Sequence, residues 1–323
     1  QNKGIEIEVT GRPFVGEFEW ESSFQISFNR NKLKALSGTE NAQLVGYGQW
    51  SDVVSVSEIG QPLYNFYGYV VEGVYRDYDD IMNSPTPDHF PSDGVFNKSN
   101  TVWVGDLKYK DVNGDGKIDA NDRTVIGSPM PKFTFGWTNT FRYKNIDLSI
   151  FLNGSYGNDV MNYLGINLTG MKSTWTNQLN SVGDRAQLVP IDPNKVYPAG
   201  QNWYDDITNI RVKNWQTKTP AARLNDPNDN DRISDRYIED GSYLRIKNIT
   251  LGYTFKKSLL KRLHLENLRV YCNIQNLHTF TKYKGYDPEV GASTQDSSGL
   301  VYGLDYGRYP SPTTYSFGLN ISF

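Results

Sequence analysis

Residues 111–122 read DVNGDGKIDAND and place oxygen-bearing side chains at Asp111, Asn113, Asp115, Asp119 and Asp122. These are positions 1, 3, 5, 9 and 12 of a twelve-residue calcium loop, and Gly116 falls at position 6, where such a loop turns most sharply. Lys117 stands where the backbone carbonyl is the ligand. A hard, all-oxygen donor set suits Ca2+, so calcium is expected in 111–122 with Asp111, Asn113, Asp115, Lys117, Asp119 and Asp122 around it. Asp122 replaces the usual glutamate at the last position and shortens the closing arm. The flanks, LKYK and RTVIG, do not read as the helices of an EF-hand. The loop therefore stands alone and would brace a surface segment without doing chemistry. A metal-free pair of Asn-Gly and Asp-Gly turns is the plain alternative.

The other reactive groupings are weaker. Residues 201–241 are rich in Asp and Asn and carry Trp203, Tyr204 and Trp215. Aromatics beside such residues grip sugars by stacking and by hydrogen bonds to hydroxyls, and these three are the candidate substrate contacts. They are equally at home in loop packing and in protein interfaces. Asp226, Asp229 and Asp231 match no ion-loop template. Asp79-Asp80 and Asp205-Asp206 supply carboxylates, but glycoside hydrolysis needs one acid and one base held across a sugar, and nothing isolates such a pair. His89, His264 and His278 share no catalytic or metal spacing and read as structural. Cys272 lies in the apolar phase of Leu268, Val270 and Ile274, so it reads as an inert thiol, and a lone cysteine makes no disulfide framework. No enzymatic activity is expected.

The elements that must carry these loops are strands. Thr313 to Phe323 reads TTYSFGLNISF, with Tyr315, Phe317, Leu319, Ile321 and Phe323 alternating with Ser316, Gly318, Asn320 and Ser322. A period of two describes a strand with one apolar and one polar face, and about 9–11 residues suffice for a tilted strand to cross a bilayer. Lys132 to Tyr143 repeats the pattern with Phe133, Phe135, Trp137, Phe141 and Tyr143 in one phase, interrupted by Asn139. Ile146, Leu148, Ile150 and Leu152 alternate with Asp147, Ser149 and Asn153; Phe14, Phe18, Trp20, Phe24, Ile26 and Phe28 alternate with Glu and Ser/Gln positions. Aromatics gather near the strand ends, as in the girdles of membrane barrels. The lipid-facing set is expected to include Phe133, Phe135, Trp137, Ile146, Leu148, Ile150, Phe317, Leu319 and Ile321.

Composition is compatible with this. Hydrophobic residues make up 37%, aromatics 14%, and the net charge is −3. No stretch is apolar enough for a helical span, whereas a barrel hides its membrane signal in alternation. The acidic balance argues against a nucleic-acid footprint. Seven candidate strands appear at 3–10, 14–30, 132–143, 145–157, 242–256, 266–281 and 313–323. Tight turns are expected at 11–13, 143–145 and 257–265; long polar segments at 31–131, 158–241 and 282–312 read as extracellular loops. An antiparallel sheet closes only with an even number of strands, so further strands are expected from elsewhere. The chain opens on QNKGIEIEV, without a signal sequence, as the middle of a longer protein would.

Several blocks resemble one family. They are Gly68-Tyr69-Val70-Val71-Glu72-Gly73-Val74-Tyr75; Gly105-Asp106-Leu107-Lys108-Tyr109-Lys110, leading into the Asp111 loop; and Val125-Ile126-Gly127-Ser128-Pro129-Met130-Pro131-Lys132-Phe133. The later ones are the run from Tyr243 to Tyr253, Asn276-Leu277, and Gly285-Tyr286-Asp287-Pro288-Glu289. In order and spacing, across nearly the whole chain, they look like SusC/RagA-type TonB-dependent outer-membrane transporters. The resemblance implies an all-β fold, the C-terminal strands of a large antiparallel transmembrane β-barrel of 22 strands with long extracellular loops. It implies location in the bacterial outer membrane among its lipids, import of oligomeric nutrients (glycan or peptide), and a SusD-like lipoprotein lid. The remaining N-terminal barrel and plug, through which a TonB-type protein couples energy, have no counterpart in 1–323. A calcium-stabilised all-β surface binding or adhesion protein is the main rival, and a secreted glycan hydrolase a weaker one.

Overall fold

The computed structural model describes residues 1–37, 42–49, 51–291 and 299–323, the side chain of Leu263 apart. Residues 38–41, 50 and 292–298, within the expected segments 31–131 and 282–312, lie outside the described residues. Among those described, seven strands pair in chain order into one antiparallel sheet. They are β1 (Asn2–Phe14), β2 (Phe18–Asn31), β3 (Phe133–Tyr143), β4 (Ile146–Tyr156), β5 (Tyr243–Thr254), β6 (Asn267–Thr281) and β7 (Thr314–Ser322). The sheet is open, with β1 and β7 at its edges. All seven expected strands are present.

Register turns the alternation of each strand into two continuous faces. One row runs Phe14, Trp20, Phe141, Leu148, Leu251, Cys272 and Phe317, one residue from each strand, each opposite the next. A neighbouring row in the other phase runs Glu21, Thr140, Ser149, Thr250, Asn273 and Ser316. A one-residue slip would move every side chain to the wrong face, so these rows fix the pairing. Rings cluster at two levels. Phe28, Phe133 and Tyr156 meet at one end, and Phe14, Phe18, Trp20 and Phe141 at the other. From Phe133 to Tyr143 a strand rises roughly 34 Å, which a tilt of about 45° reduces to about 24 Å, the height of a membrane-barrel apolar band.

The expected turn at 11–13 is corrected. Strand β1 continues to Phe14, and the chain reverses over 15–17. Gly11-Arg12-Pro13 forms a bulge: Gly11 faces Ser22 and Phe14 faces Trp20, so β1 carries one residue more than its partner. Proline lacks an N–H to give the ladder and is accommodated at bulges and edges. The extra residue brings the even-numbered Phe14 onto the face of Ile5, Ile7 and Val9.

The long segments are not passive loops. Gln43–Tyr47, Val53–Glu58, Asn65–Gly68 and Thr124–Gly127 make a four-stranded sheet; Asp159–Asn162 joins Ile238–Asp240 and Leu304–Asp305. One buried cluster gathers Val71, Tyr75, Trp103, Leu107, Ile118 and Ile210; another gathers Phe66, Met161, Tyr163, Ile233 and Leu304. Both lie outside the seven-stranded sheet. The three excursions therefore interlock into a cap with its own cores at one end of the sheet, opposite the short connections. No helix among the described residues is long and apolar enough to cross a membrane.

Candidate functional site

The Asp111 loop is closed by its own amides. The Asp111 carboxylate accepts from Gly114 N at 2.6 Å and Gly116 N at 2.8 Å; Asn113 Oδ1 accepts from Asp115 N, and Asp115 Oδ1 from Lys117 N. Gly114 and Gly116 take φ of 77° and 81°, a region that side-chain-bearing residues rarely visit, which explains the two glycines. Asp122 is fully buried and accepts from Val112 N and Asp119 N, while Asp119 accepts from Asn121 N. Ile118 plugs the loop into the first core. The structure thus brings Asp111, Asn113 and Asp115 onto one outer turn and places half-buried Asp119 and buried Asp122 on the 3-10 turn that follows. Among the described residues no group of three or more His, Cys, Asp or Glu side chains already converges as a metal site. The residue types and the glycine geometry fit a calcium loop; rotation of the exposed carboxylates would be needed to close it around the ion.

The three aromatic candidates separate. Trp203 packs against the first core and meets Tyr204 edge-on at 5.6 Å. Lys98 Nζ stands 5.2 Å from the centre of the Tyr204 ring and pairs with Asp205. Both rings are half-buried, Trp203 against the core and Tyr204 between Trp203 and Lys98. Trp215 is exposed, with the Arg76 guanidinium 6.0 Å from its ring centre, on a cleft of about 430 Å³ lined also by Glu72, Asp80, Lys108 and Lys218. The carboxylate pairs serve as caps and ion-pair partners. Asp80 binds Arg76 and Lys108, and Asp206 binds Lys195 at 2.5 Å. Lys98 beside Asp205, and Lys195 beside Asp206, hold both carboxyls below the usual carboxylate range. Neither pair leaves a free acid and base across a sugar-sized gap.

Two charged clusters escaped the reading of the sequence. Asp106 is fully buried; it pairs with Arg223, accepts from Trp103 N, and accepts from Asn230 Nδ2 at 3.1 Å. Asn230 Nδ2 also reaches Asp226, whose other oxygen accepts from Asp231 N. Burial pushes Asp226 up to about 6. The network ties 223–231 to 98–107 across the cap. The second cluster lies on the sheet: Arg245 is 1% exposed and pairs with Asp287 and with Glu289 at 2.6 Å. Asp287 also accepts from Ser311 N, and although burial raises it, these donors leave its carboxyl below the usual range. Two of the family-like blocks are thus halves of one latch. Asn276, in another, takes φ of 51° and bonds Pro312 O through Nδ2, steering the chain into β7. Arg245 lies in the polar phase of β5, opposite Asn153 and Thr279, where a cation breaks no pattern, so the sequence offered no local signal for it.

On the apolar face, Asn139 is satisfied by the Trp20 indole at 3.0 Å, and Ser22 by the Trp137 indole at 2.9 Å. Asn139 and Ser22 stand directly opposite one another. The interruption noted in the alternation is a paired polar island.

No family model matches the chain. Over its full length it is 32% identical to TonB-dependent receptor P3 of Formosa agariphila, of which it covers 29%. It is 26% identical to TonB-dependent receptor SusC of Bacteroides thetaiotaomicron, again over its whole length and 26% of that protein. Among solved structures, that of the RagAB peptide transporter superposes over 100% of the chain with a TM-score of 0.65 at 20% identity, and the chain covers 29% of it. A closed-closed state of the RagAB peptide importer gives 0.63 at 19% identity. The chain spans between a quarter and a third of the length of the curated relatives it matches.

Proposed function

We propose that the chain is a C-terminal part of the barrel of a SusC/RagA-type TonB-dependent outer-membrane transporter and that it walls the import path of a receptor for oligomeric nutrients. The observation that carries this reading is the pair of continuous faces on β1–β7. The apolar face, closed by two levels of aromatic rings, meets lipid; the polar face lines a lumen. The interlocked excursions 31–131, 158–241 and 282–312 form part of the extracellular mouth, and a SusD-like lipoprotein lid seats on them. Energy reaches the cargo through a plug and a TonB-type protein, neither of which this stretch supplies. The role is passage and gating, not turnover.

Calcium in the Asp111 loop would act as a brace. It would replace internal amide contacts with metal–oxygen bonds at about 2.3–2.6 Å and stiffen the segment that Ile118 anchors to the cap core. Trp215 and its charged cleft remain the candidate cargo or lid contact. Trp203 and Tyr204 support the cap from within.

Uptake measurements test the main reading. Cells lacking the receptor should lose import of either fluorescently tagged oligosaccharides or tagged peptides of defined length, and regain it with the full receptor. Unchanged uptake of both classes would overturn the proposal. Co-purification of a lipoprotein with the full receptor tests the lid, and deleting cap segments should abolish it.

A further inference from the structure

The connection between β5 and β6 is a short basic turn, FKKSLLKRLHLE over 255–266. It folds as a helical turn at Lys257–Leu260 followed by a 3-10 turn at Lys261–Leu263. Leu260 is buried beneath it, whereas Lys256, Lys257, Lys261 and Arg262 are all exposed. Among the described residues none of these four cations pairs with a carboxylate. Leu259, 54% exposed, stands among them. Glu266 is the one acid of the segment. On the adjoining connection, exposed Lys144 lies over the Tyr143 ring at 4.9 Å, and Asn145 is bonded to Thr254. The nearby Asp147 is already held by Arg269, and Glu19 by Arg142.

This cluster is continuous with the lipid-facing surface. Tyr253 and Phe255 meet edge-on at 5.0 Å where β5 ends, and the Phe14–Phe18–Phe141 rings lie at the same level. An aromatic belt marks where a barrel leaves the hydrocarbon, so residues one turn beyond it stand at headgroup depth. A basic turn with an exposed leucine at that depth has the composition of an interfacial anchor. We propose that Lys144 and the 256–262 turn bind anionic phospholipid headgroups, with Leu259 inserted between the acyl chains. The occupant is a lipid rather than a soluble phosphate because the surface couples charge to an apolar contact. Basic residues contribute about fivefold each to partition onto an anionic surface. The turn would fix the depth of the barrel and recruit anionic lipid beside β5 and β6. This rests on the barrel reading above, with the short connections facing the periplasm.

The test uses the full receptor in nanodiscs of equimolar phosphatidylcholine and phosphatidylglycerol, with retained lipid counted by native mass spectrometry. The unsubstituted receptor should keep phosphatidylglycerol over phosphatidylcholine by about tenfold or more. Lys256→Gln, Lys257→Gln, Lys261→Gln and Arg262→Gln together should bring the ratio to near one. Leu259→Asn should weaken retention of both lipids. An unsubstituted receptor without preference, or a neutralised one that keeps it, overturns the proposal. If the neutralised receptor does not assemble, salt decides: the wild-type preference should collapse as the Debye length shrinks, and a salt-insensitive preference overturns the proposal. Displacement by glycerol phosphate as effective as by phosphatidylglycerol would also overturn it, as a phosphate site without a lipid role. Orientation is read separately, by impermeant maleimide on Ser258→Cys in intact cells against the unsubstituted receptor. Labelling from outside would refute the periplasmic placement while leaving the lipid preference to stand or fall in the nanodiscs.

Discussion

At the scale of single residues, the turn chemistry of the Asp111 loop was legible in the sequence, its two glycines taking the positive φ that such a loop requires. Its local closure by amides was not legible, since that depends on which way each carboxylate rotates. Added Ca2+ should slow hydrogen exchange at 111–122, and Asp115→Ala should weaken calcium binding by tenfold or more in a calorimetric titration. Equal heats from both proteins would remove the calcium assignment. The cap network could not be read in advance, because Asp106, Arg223 and Asp226 become neighbours only after distant segments meet. Among the described residues the partners of the Asp226 carboxylate are the Asn230 amide and the Asp231 N–H. Burial raises it from 3.8 to about 6, so the folded cap binds its proton more tightly than the open chain does. Its contribution is therefore full below about pH 4 and lost as pH climbs through about 6. Amides in 224–232, corrected for intrinsic rates, should be better protected at pH 5 than at pH 7. Asp226→Asn should reduce that difference, the remainder coming from the neighbouring buried Asp106, which burial also pushes up to about 6.

At the scale of elements, all seven strands were legible, the boundary between β1 and β2 excepted, because alternation against a two-sided environment leaves a period of two in the sequence itself. Leu148 faces Phe141 on one side and Leu251 on the other, within the apolar row. Arginine there, or at Leu319, should cost about 2–4 kcal/mol near the midplane and reduce the amount of heat-modifiable, assembled barrel on a gel. Wild-type assembly of both variants would show the phase to be wrong. What alternation hid was the bulge at Gly11-Arg12-Pro13. Glycine and proline signal a reversal, and also the places where one extra residue is let into a ladder. Only the change of phase between Val9 and Phe14 separated the two, and it became informative once Phe14 was seen opposite Trp20. Arg245 was obscured for a related reason: its partners Asp287 and Glu289 lie beyond the next strand, out of reach of any local pattern.

At the scale of the whole molecule, β1 and β7 each have one bonded neighbour, and inside a bilayer an unpaired strand edge leaves orphan amides at several kcal/mol apiece. Residues 1–323 expressed alone should collect in inclusion bodies, and co-expression with the remaining strands of the receptor should recover membrane-inserted protein. A soluble, closed monomer from 1–323 would contradict the barrel assignment. The cap was the least legible part, because its excursions carry short strands and capped turns whose partners come from other excursions. Tyr69 N bonds Ile233 O, Ser55 Oγ bonds Leu300 O, and Met161 N bonds Gly303 O, each contact joining a different pair of excursions. That interlocking imposes an order on biogenesis. The first core draws on 31–131 and 158–241 and the second on all three excursions, so no excursion completes a core by itself. On the extracellular placement proposed above, the excursions would meet only once they have crossed the membrane, so the cap would close after they have all arrived.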